Sequence, residues 1–599
     1  MMRQSSSLVT RFKRDERGAF AVIFGLMAIV LIALGGAVVD YVSMEQVRNR
    51  GQIALDAATL ALQPEIFKVP VNVADIKERA EDLVLDRLGG EFGVTASLLD
   101  PTVDVANGTL TLEAQMSVPT VFVSLVGVSK LDARIRSQAT RRMLDVEVAM
   151  VLDNSGSMGG SKMSNLKTAA CNAVNILFYD RDGLGCKVPT GVSKNENVRI
   201  GVVPFTALVN IGTQFKNEAW LDWTSASQVA AYGEILNFDD DDNENTKFTG
   251  PMDRRTLFNE TKTDWLGCIE ARVSPYDTTD DPPDIAERKF IPLFSPDTVY
   301  NNNNNYLSDN GGTCQLKTCT QEKTQNSCYY SRWSGWTCYG STSYKYTKRV
   351  GNMTTNLGAA SCLPSNPVEI SSSSNTGSTT TTTTVYSLLT ERELQSRLCK
   401  YNGTNENSSR TNDNCPTAKV LPLTDQPKSV LDSINAMVAS GNTNIQQGTV
   451  WGMHALTSGE PLIEAKPVAP GQVSKVLIVM TDGENYPDLG PGDSDMNGSS
   501  YFSWGFRYDE RIAPKNEINT RAKLTSVMDD RTIAACEFAR ENRDIDVYTI
   551  GLGSNNATKA MLTACASGEE YAYFPNSANE LNDVFRAIAG RLAALRLSL

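Results

Sequence analysis

The chain has 599 residues, a length that suits about three to four domains rather than one core. Lysine and arginine number 56 against 69 aspartate and glutamate, and the net charge of −13 is spread along the sequence, which argues against a nucleic-acid partner for the whole molecule. Twelve cysteines stand beside a single histidine, His454, a composition that favours disulfides over zinc sites and so an oxidising compartment for the bulk of the chain.

Residues 1–17 carry Arg3, Arg11, Lys13, Arg14 and Arg17, and Gly18–Val39 then runs for 22 residues without a charge. As a helix rising about 1.5 Å per residue, that run covers about 33 Å, enough for a hydrocarbon core of about 30 Å. The basic flank predicts a single-pass anchor with a cytoplasmic amino terminus and everything after Asp40 exported. A cleaved signal peptide is the competing reading, although its apolar core is usually shorter. Residues 40–64 keep apolar positions at three- and four-residue spacing, which predicts an amphipathic helical stalk. The segment Arg17–Phe24, together with Ala54–Ala61, resembles the TadE/TadG-like amino-terminal segment of Tad (Flp) pilus-assembly proteins. That resemblance implies an inner-membrane anchor, uncleaved here because Ile23 stands where prepilin processing uses a glutamate.

Residues 65–143 read as a small α+β module, with a helix over Ala74–Leu88 stopped by Gly89-Gly90 and strands after it. Thr102–Val105 and Thr109–Leu112 flank Ala106-Asn107-Gly108, which predicts a hairpin closed by a type I′ turn. Nothing in this module suggests chemistry; it is expected to be a spacer or assembly surface.

An α/β domain is predicted over 144–596. Val146–Leu152 reads as a buried central strand and runs into Asp153-Asn154-Ser155-Gly156-Ser157-Met158. Three short oxygen-bearing side chains at a spacing of two, at a strand's carboxyl end, suit a hard divalent cation; capping of the next helix is the alternative use of the same residues. That helix carries Met163, Leu166, Ala170, Val174 and Leu177 on one face, and the strand Val198–Phe205 follows, a β-α-β order that predicts parallel pairing. Cys171 with Cys186, and Cys536 with Cys565, each bracket a short helix-to-loop segment and are expected to pair.

From about 215 to 425 a long insertion interrupts the pattern. Cys268, Cys314, Cys319, Cys328, Cys338, Cys362, Cys399 and Cys415 crowd it and predict a disulfide-stapled region. Asp239–Asn245 and the group Asp277, Asp280, Asp281 and Asp284 read as solvated acidic turns. The low-complexity tract Ser371–Thr384 reads as a mobile loop. Trp265–Arg272 looks like the insertion of TadG-like chains.

The α/β pattern resumes with a helix over Ser429–Ala439, the loop Ser440–Ile445 containing Thr443, a helix through Trp451 and Leu456, and the strand Val476–Met480 ending in Thr481-Asp482-Gly483. A helix over Asp530–Glu541, the strand Ile545–Gly551, a helix over Ala557–Ala566, an edge strand at Tyr571–Phe574 and an amphipathic helix over Asn579–Arg596 complete it. The D-x-S-x-S turn, the loop threonine and the T-D-G strand end, in that order, resemble the von Willebrand factor type A domain and its metal-ion-dependent adhesion site. The resemblance implies a doubly wound, mainly parallel sheet, with Ser155, Ser157 and Thr443 offering hydroxyls to the ion and Asp153 and Asp482 holding it directly or through waters. The implied cofactor is Mg2+ first, with Ca2+ or Mn2+ as alternatives, and the implied partner is a protein offering a carboxylate, such as a pilus or secretion-machinery component.

Catalysis is not expected. No G-x-S-x-G elbow, Walker loop or dinucleotide glycine pattern occurs. Two other readings stay open: a metal-dependent hydrolase, for which only Asp153, Asp482 and Glu484 offer a base, and a structural envelope or pilus component whose metal site is vestigial.

Overall fold

The apolar run and the stalk behind it form one unbroken helix, α1 (Arg17–Leu62), in the computed structural model of the chain. The structure describes residues 17–67, 71–88, 94–104, 108–140, 144–224, 226–227, 253–299, 304–357, 362–363, 367–470, 472–489 and 497–598. Arg3, Arg11, Lys13, Arg14, the Gly89-Gly90 stop, Asn107 and the acidic stretch Asp239–Asn245 lie outside the described residues. The chain divides into two compact units, residues 1–144 with 595–599, and residues 145–594.

In the first unit, α1 is long and apolar enough to cross a membrane. Beyond Val39 its character changes: Val47, Ala54, Leu55, Ala58 and Leu62 are buried, a stripe at helical spacing that packs with α2 (Val73–Leu88) and an antiparallel sheet. The sheet comprises β1 (Thr95–Leu98), β2 (Thr102–Asp104), β3 (Thr109–Pro119) and β4 (Lys130–Thr140). β3 pairs with β4 along its whole length and with β1 and β2 on its other edge. Its alternate residues Leu110, Leu112, Ala114, Met116 and Val118 are buried, the period of two that a half-covered strand requires. Asp104 pairs with Thr109, so β2 and β3 form the expected antiparallel pair; the Ala106-Asn107 part of the expected turn lies outside the described residues, and Gly108 has φ 62°.

The second unit is built on one mixed sheet. Its parallel strands are β5 (Asp145–Asp153), β6 (Val198–Phe205), β17 (Val473–Thr481), β18 (Ile545–Gly551) and β19 (Ala572–Tyr573), with β5 between β17 and β6. Every residue of β5 from Val146 to Asp153 is buried, which is why it reads as a continuous apolar run. Helices α3 (Ser161–Tyr179) and α5 (Pro427–Asn435) pack on β6, α6 (Ile445–Leu456) packs on β5, β6 and β17, and α7 (Arg521–Arg543) and α8 (Asn556–Cys565) pack on β18. α9 (Ala578–Ser598) follows β19. Disulfides join Cys171 to Cys186 and Cys536 to Cys565, with Cα separations of 4.9 and 5.1 Å.

The interruption between about 215 and 425 is only partial. β7 (Val209–Asn210) pairs antiparallel with β6 and β8 (Cys268–Ile269) antiparallel with β7, extending the main sheet, and β16 (Leu421–Thr424) pairs with β6 as well. Trp220, Trp223, Leu257, Phe258, Trp265 and Phe290 belong to the same core as Val151 and Leu477. α4 (Arg254–Thr261) is held by Arg254, whose guanidinium meets Glu270; Glu270 also accepts from Arg511 and Tyr501, each at 2.8 Å. Two members of the acidic group at 277–284 are corrected, while Asp284 is exposed as expected. Asp277 and Asp280 are buried and paired with Arg531 and Arg543 of α7, so they clamp the insertion to the domain instead of facing water.

The remainder of the insertion is a second, five-stranded antiparallel sheet in the order β13-β12-β9-β15-β14, formed by β9 (Lys317–Asn326), β12 (Thr342–Val350), β13 (Met353–Leu357), β14 (Val368–Asn375) and β15 (Thr379–Ser387), with the hairpin β10 (Cys328–Ser331) and β11 (Gly335–Cys338) beside it. Its disulfides are Cys314–Cys399, Cys319–Cys362 and Cys328–Cys338, and Cys268–Cys415 ties it to the main sheet. The Ser371–Thr384 tract is therefore not a loop. β-Branched threonines favour the extended chain, β15 is paired on both edges, and hydroxyls meet across strands at Ser374–Thr382, 2.9 Å apart.

Candidate functional site

β5 and β17 run parallel with Met480 opposite Leu152, so both strands end at the same edge and deliver Asp153 and Asp482 to neighbouring positions. Asp153 is fully buried. Its Oδ1 accepts the Ser155 N–H at 2.8 Å and its Oδ2 accepts the Thr481 hydroxyl at 2.7 Å. Burial pushes its pKa up to about 6, with the Asp482 carboxylate acting in the same direction and the bonds from Ser155 and Thr481 opposing.

The turn after β5 carries the two serines on one side. Ser155 Oγ and Ser157 Oγ are 2.9 Å apart, and Ser157 donates to Asp482 Oδ1 at 2.6 Å. The other oxygen, Asp482 Oδ2, takes the ammonium of Lys162, in the first turn of α3, at 2.5 Å. Four of the five residues singled out above, Asp153, Ser155, Ser157 and Asp482, thus belong to one hydrogen-bonded patch. Thr443 stands on the adjoining loop. Gly156 N–H donates to the Gly441 carbonyl at 2.9 Å, Ser440 N–H donates to the Asn154 carbonyl at 2.9 Å, and Tyr486 N–H donates to the Thr443 carbonyl at 2.9 Å. The loop is therefore stitched to the Asp153 turn on one side and to the segment after Asp482 on the other. A Cβ on Gly156 would sit 3.2 Å from the Gly441 carbonyl oxygen, so the close approach depends on glycine there. Among the described residues the Thr443 hydroxyl joins none of these bonds.

The donor set is all oxygen, three hydroxyls and two carboxylates, which fits a hard divalent cation and not a thiolate- or imidazole-seeking one. No group of three or more His, Cys, Asp or Glu side chains converges among the described residues, so an ion here would rest on hydroxyls as much as on carboxylates. Ser157 is the exposed member of the set, and the patch opens to solvent on its side.

Three supporting residues escaped the sequence reading. Lys162 balances Asp482, and Thr481 orients Asp153. Asn485 accepts from Ile445 N–H at 2.8 Å and donates to Asp529 at 2.7 Å, fixing the start of α6 behind the Thr443 loop. Only Thr481 had a sequence signal, as the hydroxyl flanking Asp482 at the strand end. His454 is buried against Phe290 and Trp451, with burial first and the Arg272 and Arg543 charges next in holding it neutral, well below its ordinary pKa.

Comparison with known proteins adds the following. Residues 18–63 match the Flp pilus-assembly TadE/G-like family. Among solved structures, the chain is similar to the pilus adhesin SpaC of Lactobacillus rhamnosus GG at 9% identity and a TM-score of 0.27, covering 83% of this chain and 34% of that one. It is also similar to the vWF domain of the type V pili tip protein Mfa5 of Porphyromonas gingivalis, at 9% identity and a TM-score of 0.28, covering 76% of this chain and 97% of that one. A point mutant of the PilB minor pilin of Streptococcus sanguinis is similar at 9% identity and a TM-score of 0.26, covering 84% of this chain and 78% of that one. The chain thus spans about a third of the length of SpaC. No curated protein matches it.

Proposed function

We propose that this chain is a membrane-anchored, exported factor of a Tad-type pilus system whose α/β domain, of the von Willebrand factor type A kind with a doubly wound sheet, captures a carboxylate of a protein partner on a divalent cation, Mg2+ first. In this reading Ser155, Ser157 and Thr443 present hydroxyls to the ion, and Asp153 and Asp482 supply its negative charge. The observation that carries the reading is the position of Ser157 Oγ, within hydrogen-bond distance of both Ser155 Oγ and Asp482 Oδ1, so that the ends of two adjacent parallel strands face one point. Neutral hydroxyls leave an ion electrophilic enough to take an external carboxylate, which a cage of carboxylates would not.

The TadE/G-like match of residues 18–63 supports the pilus setting. The basic residues ahead of Gly18 support an inner-membrane reading with the amino terminus cytoplasmic, and six disulfides agree with export of the body. The reading is non-catalytic: the single histidine is buried against the rings of Phe290 and Trp451.

The test is crosslinking and capture of partners by the full chain in Mg2+ and in chelator, with Ser155→Ala alongside. Capture in Mg2+ that is lost in chelator and in the variant is expected. Capture that is equal in all three conditions removes the metal from the function, and turnover of an ester or peptide by the purified protein would replace adhesion by hydrolysis.

A further inference from the structure

We propose that the loop of residues 120–129, between β3 and β4, lies in the outer leaflet of the bilayer that α1 crosses and forms a second membrane contact of the first unit. The inference rests on the reading of α1 as a membrane span and goes beyond it. Between Glu113 and Lys130 the sequence has no charged side chain, and the loop reads Thr-Val-Phe-Val-Ser-Leu-Val-Gly-Val-Ser. Its large aliphatics are not in a core: Val121, Leu125, Val126 and Val128 are 71%, 58%, 55% and 43% exposed. A cluster of this kind on a short turn marks a contact surface.

The loop sits on α1 where the apolar run ends. Phe122 lies directly over Gly36, where an added Cβ would overlap the Phe122 Cβ. One helical turn further on, Asp40 is buried: its Oδ1 accepts the N–H of Val121 at 3.1 Å, and its Oδ2 accepts those of Phe122 and Val123, each at 2.8 Å. The charge-free residues before Asp40 span about 33 Å, so this level is the outer edge of the hydrocarbon.

Three features identify the occupant as lipid. Val38 and Val39 of α1 are exposed, and so is Val121 of the loop, whose N–H reaches Asp40 directly after them, so apolar side chains of helix and loop adjoin at this level. Backbone donors inside a bilayer need protein partners because no water reaches them, and this loop provides them. Asp40 takes three N–H groups, while Leu125 N–H donates to the Phe122 carbonyl at 3.2 Å, Gly127 N–H to Ser124 at 3.0 Å and Val128 N–H to Val123 at 3.3 Å. The hydroxyls of Thr120 and Ser124 also turn inward, to the carbonyls of Val128 and Val121 at 2.5 and 2.7 Å. The same three N–H groups shield the Asp40 carboxylate from the acyl chains. Finally, Lys130, directly after the loop, is exposed, a cation placed for anionic headgroups.

All twelve cysteines are disulfide-bonded, so Leu125→Cys creates the single thiol available to an environment-sensitive fluorophore. The full chain is reconstituted in vesicles of phosphatidylethanolamine and phosphatidylglycerol bearing nitroxides either high on the acyl chain or near its end. Reference labels go on Ile29→Cys, in the middle of the span, and Leu85→Cys, exposed on α2. The expected result is loss of the residue-125 signal to the shallow nitroxide, loss of the residue-29 signal to the deep one, and no loss at residue 85. Quenching at 29 but not at 125 overturns the loop contact and leaves the span intact; a blue-shifted label at 125 that no lipid nitroxide quenches means that protein covers the loop, and also overturns it. No quenching at 29 removes the span, and the loop contact with it.

Discussion

Gly452→Ala tests how the strands that carry the candidate site are held. Helix α6 lies across β5 and β17, and an alanine Cβ at 452 would overlap Val151 Cγ2 and stand 2.5 Å from Leu477 Cδ1. Carbon atoms pack at about 3.5–4.0 Å, so relief requires a retreat of about 1 Å or more. The two obstructing side chains sit on neighbouring strands, both buried, and Val151 is β-branched and stiff at χ1, so no single rotamer change clears the contact. Overpacking of this kind costs about 2–3 kcal/mol, the upper part of the usual range, offset by about 1 kcal/mol of helix propensity gained on losing glycine. The expected net loss is about 1–2 kcal/mol. Gly590→Ala, in α9 with nothing within 4 Å of the added Cβ, gains only the propensity and should stabilise by up to about 1 kcal/mol. Urea unfolding of the two purified variants, followed through tryptophan fluorescence, should therefore move their midpoints in opposite directions from the parent. Equal stabilisation by both would show that α6 does not approach the sheet through Gly452, and the reasoning would fail.

Thr481→Val removes the hydroxyl that orients Asp153 and should weaken divalent-cation binding by about 10–100-fold, as loss of a group behind a ligand generally does, with folding retained; calorimetric Mg2+ titration that shows unchanged affinity would take Asp153 out of the site. Glu270→Gln leaves the buried guanidinium groups of Arg254 and Arg511 without their shared counter-charge and should cost about 3–5 kcal/mol in denaturant unfolding, whereas a loss below about 1 kcal/mol would mean the cluster is solvated. His454 is held neutral in the fold, so its folded pKa lies below its unfolded one. The unfolded chain binds its proton as pH falls below about 6.5 and the native chain does not, so this group lowers stability towards acid by up to about 1.4 kcal/mol per pH unit. Asp309 and Asp529, both pushed up to about 6 by burial, act with the opposite sign in parent and variant alike and cancel in the comparison. His454→Leu should therefore gain on the parent steadily as pH falls from about 6.5 to about 5, and parallel stability profiles would contradict the buried, neutral assignment.

The sequence by itself determined the elements that bury on both faces or are apolar throughout, because continuous apolar runs have few alternatives. β5, β6 and β17 lie where Val146–Leu152, Val198–Phe205 and Val476–Met480 read as strands, and the charge-free run before Asp40 lies within α1. It also pointed to Asp153, Ser155, Ser157 and Asp482, since oxygen-bearing side chains directly after buried strands have to emerge at a sheet edge. What the sequence left open depends on partners distant along the chain. The Ser/Thr tract has too little hydrophobicity to announce a strand, yet β9 offers it a ladder of backbone partners. Asp277 and Asp280 look like surface charges until Arg531 and Arg543, more than 250 positions away, meet them. Lys162 is one lysine among many until β17 ends beside its helix and places Asp482 under the ammonium. The seat of the loop at 120–129 on Asp40, some 80 residues earlier, likewise has no local signal. Periodicity reports the face of an element, which is a local property; ion pairs, ladder partners and loop contacts are set by which elements the fold brings together, and only the tertiary structure decided those.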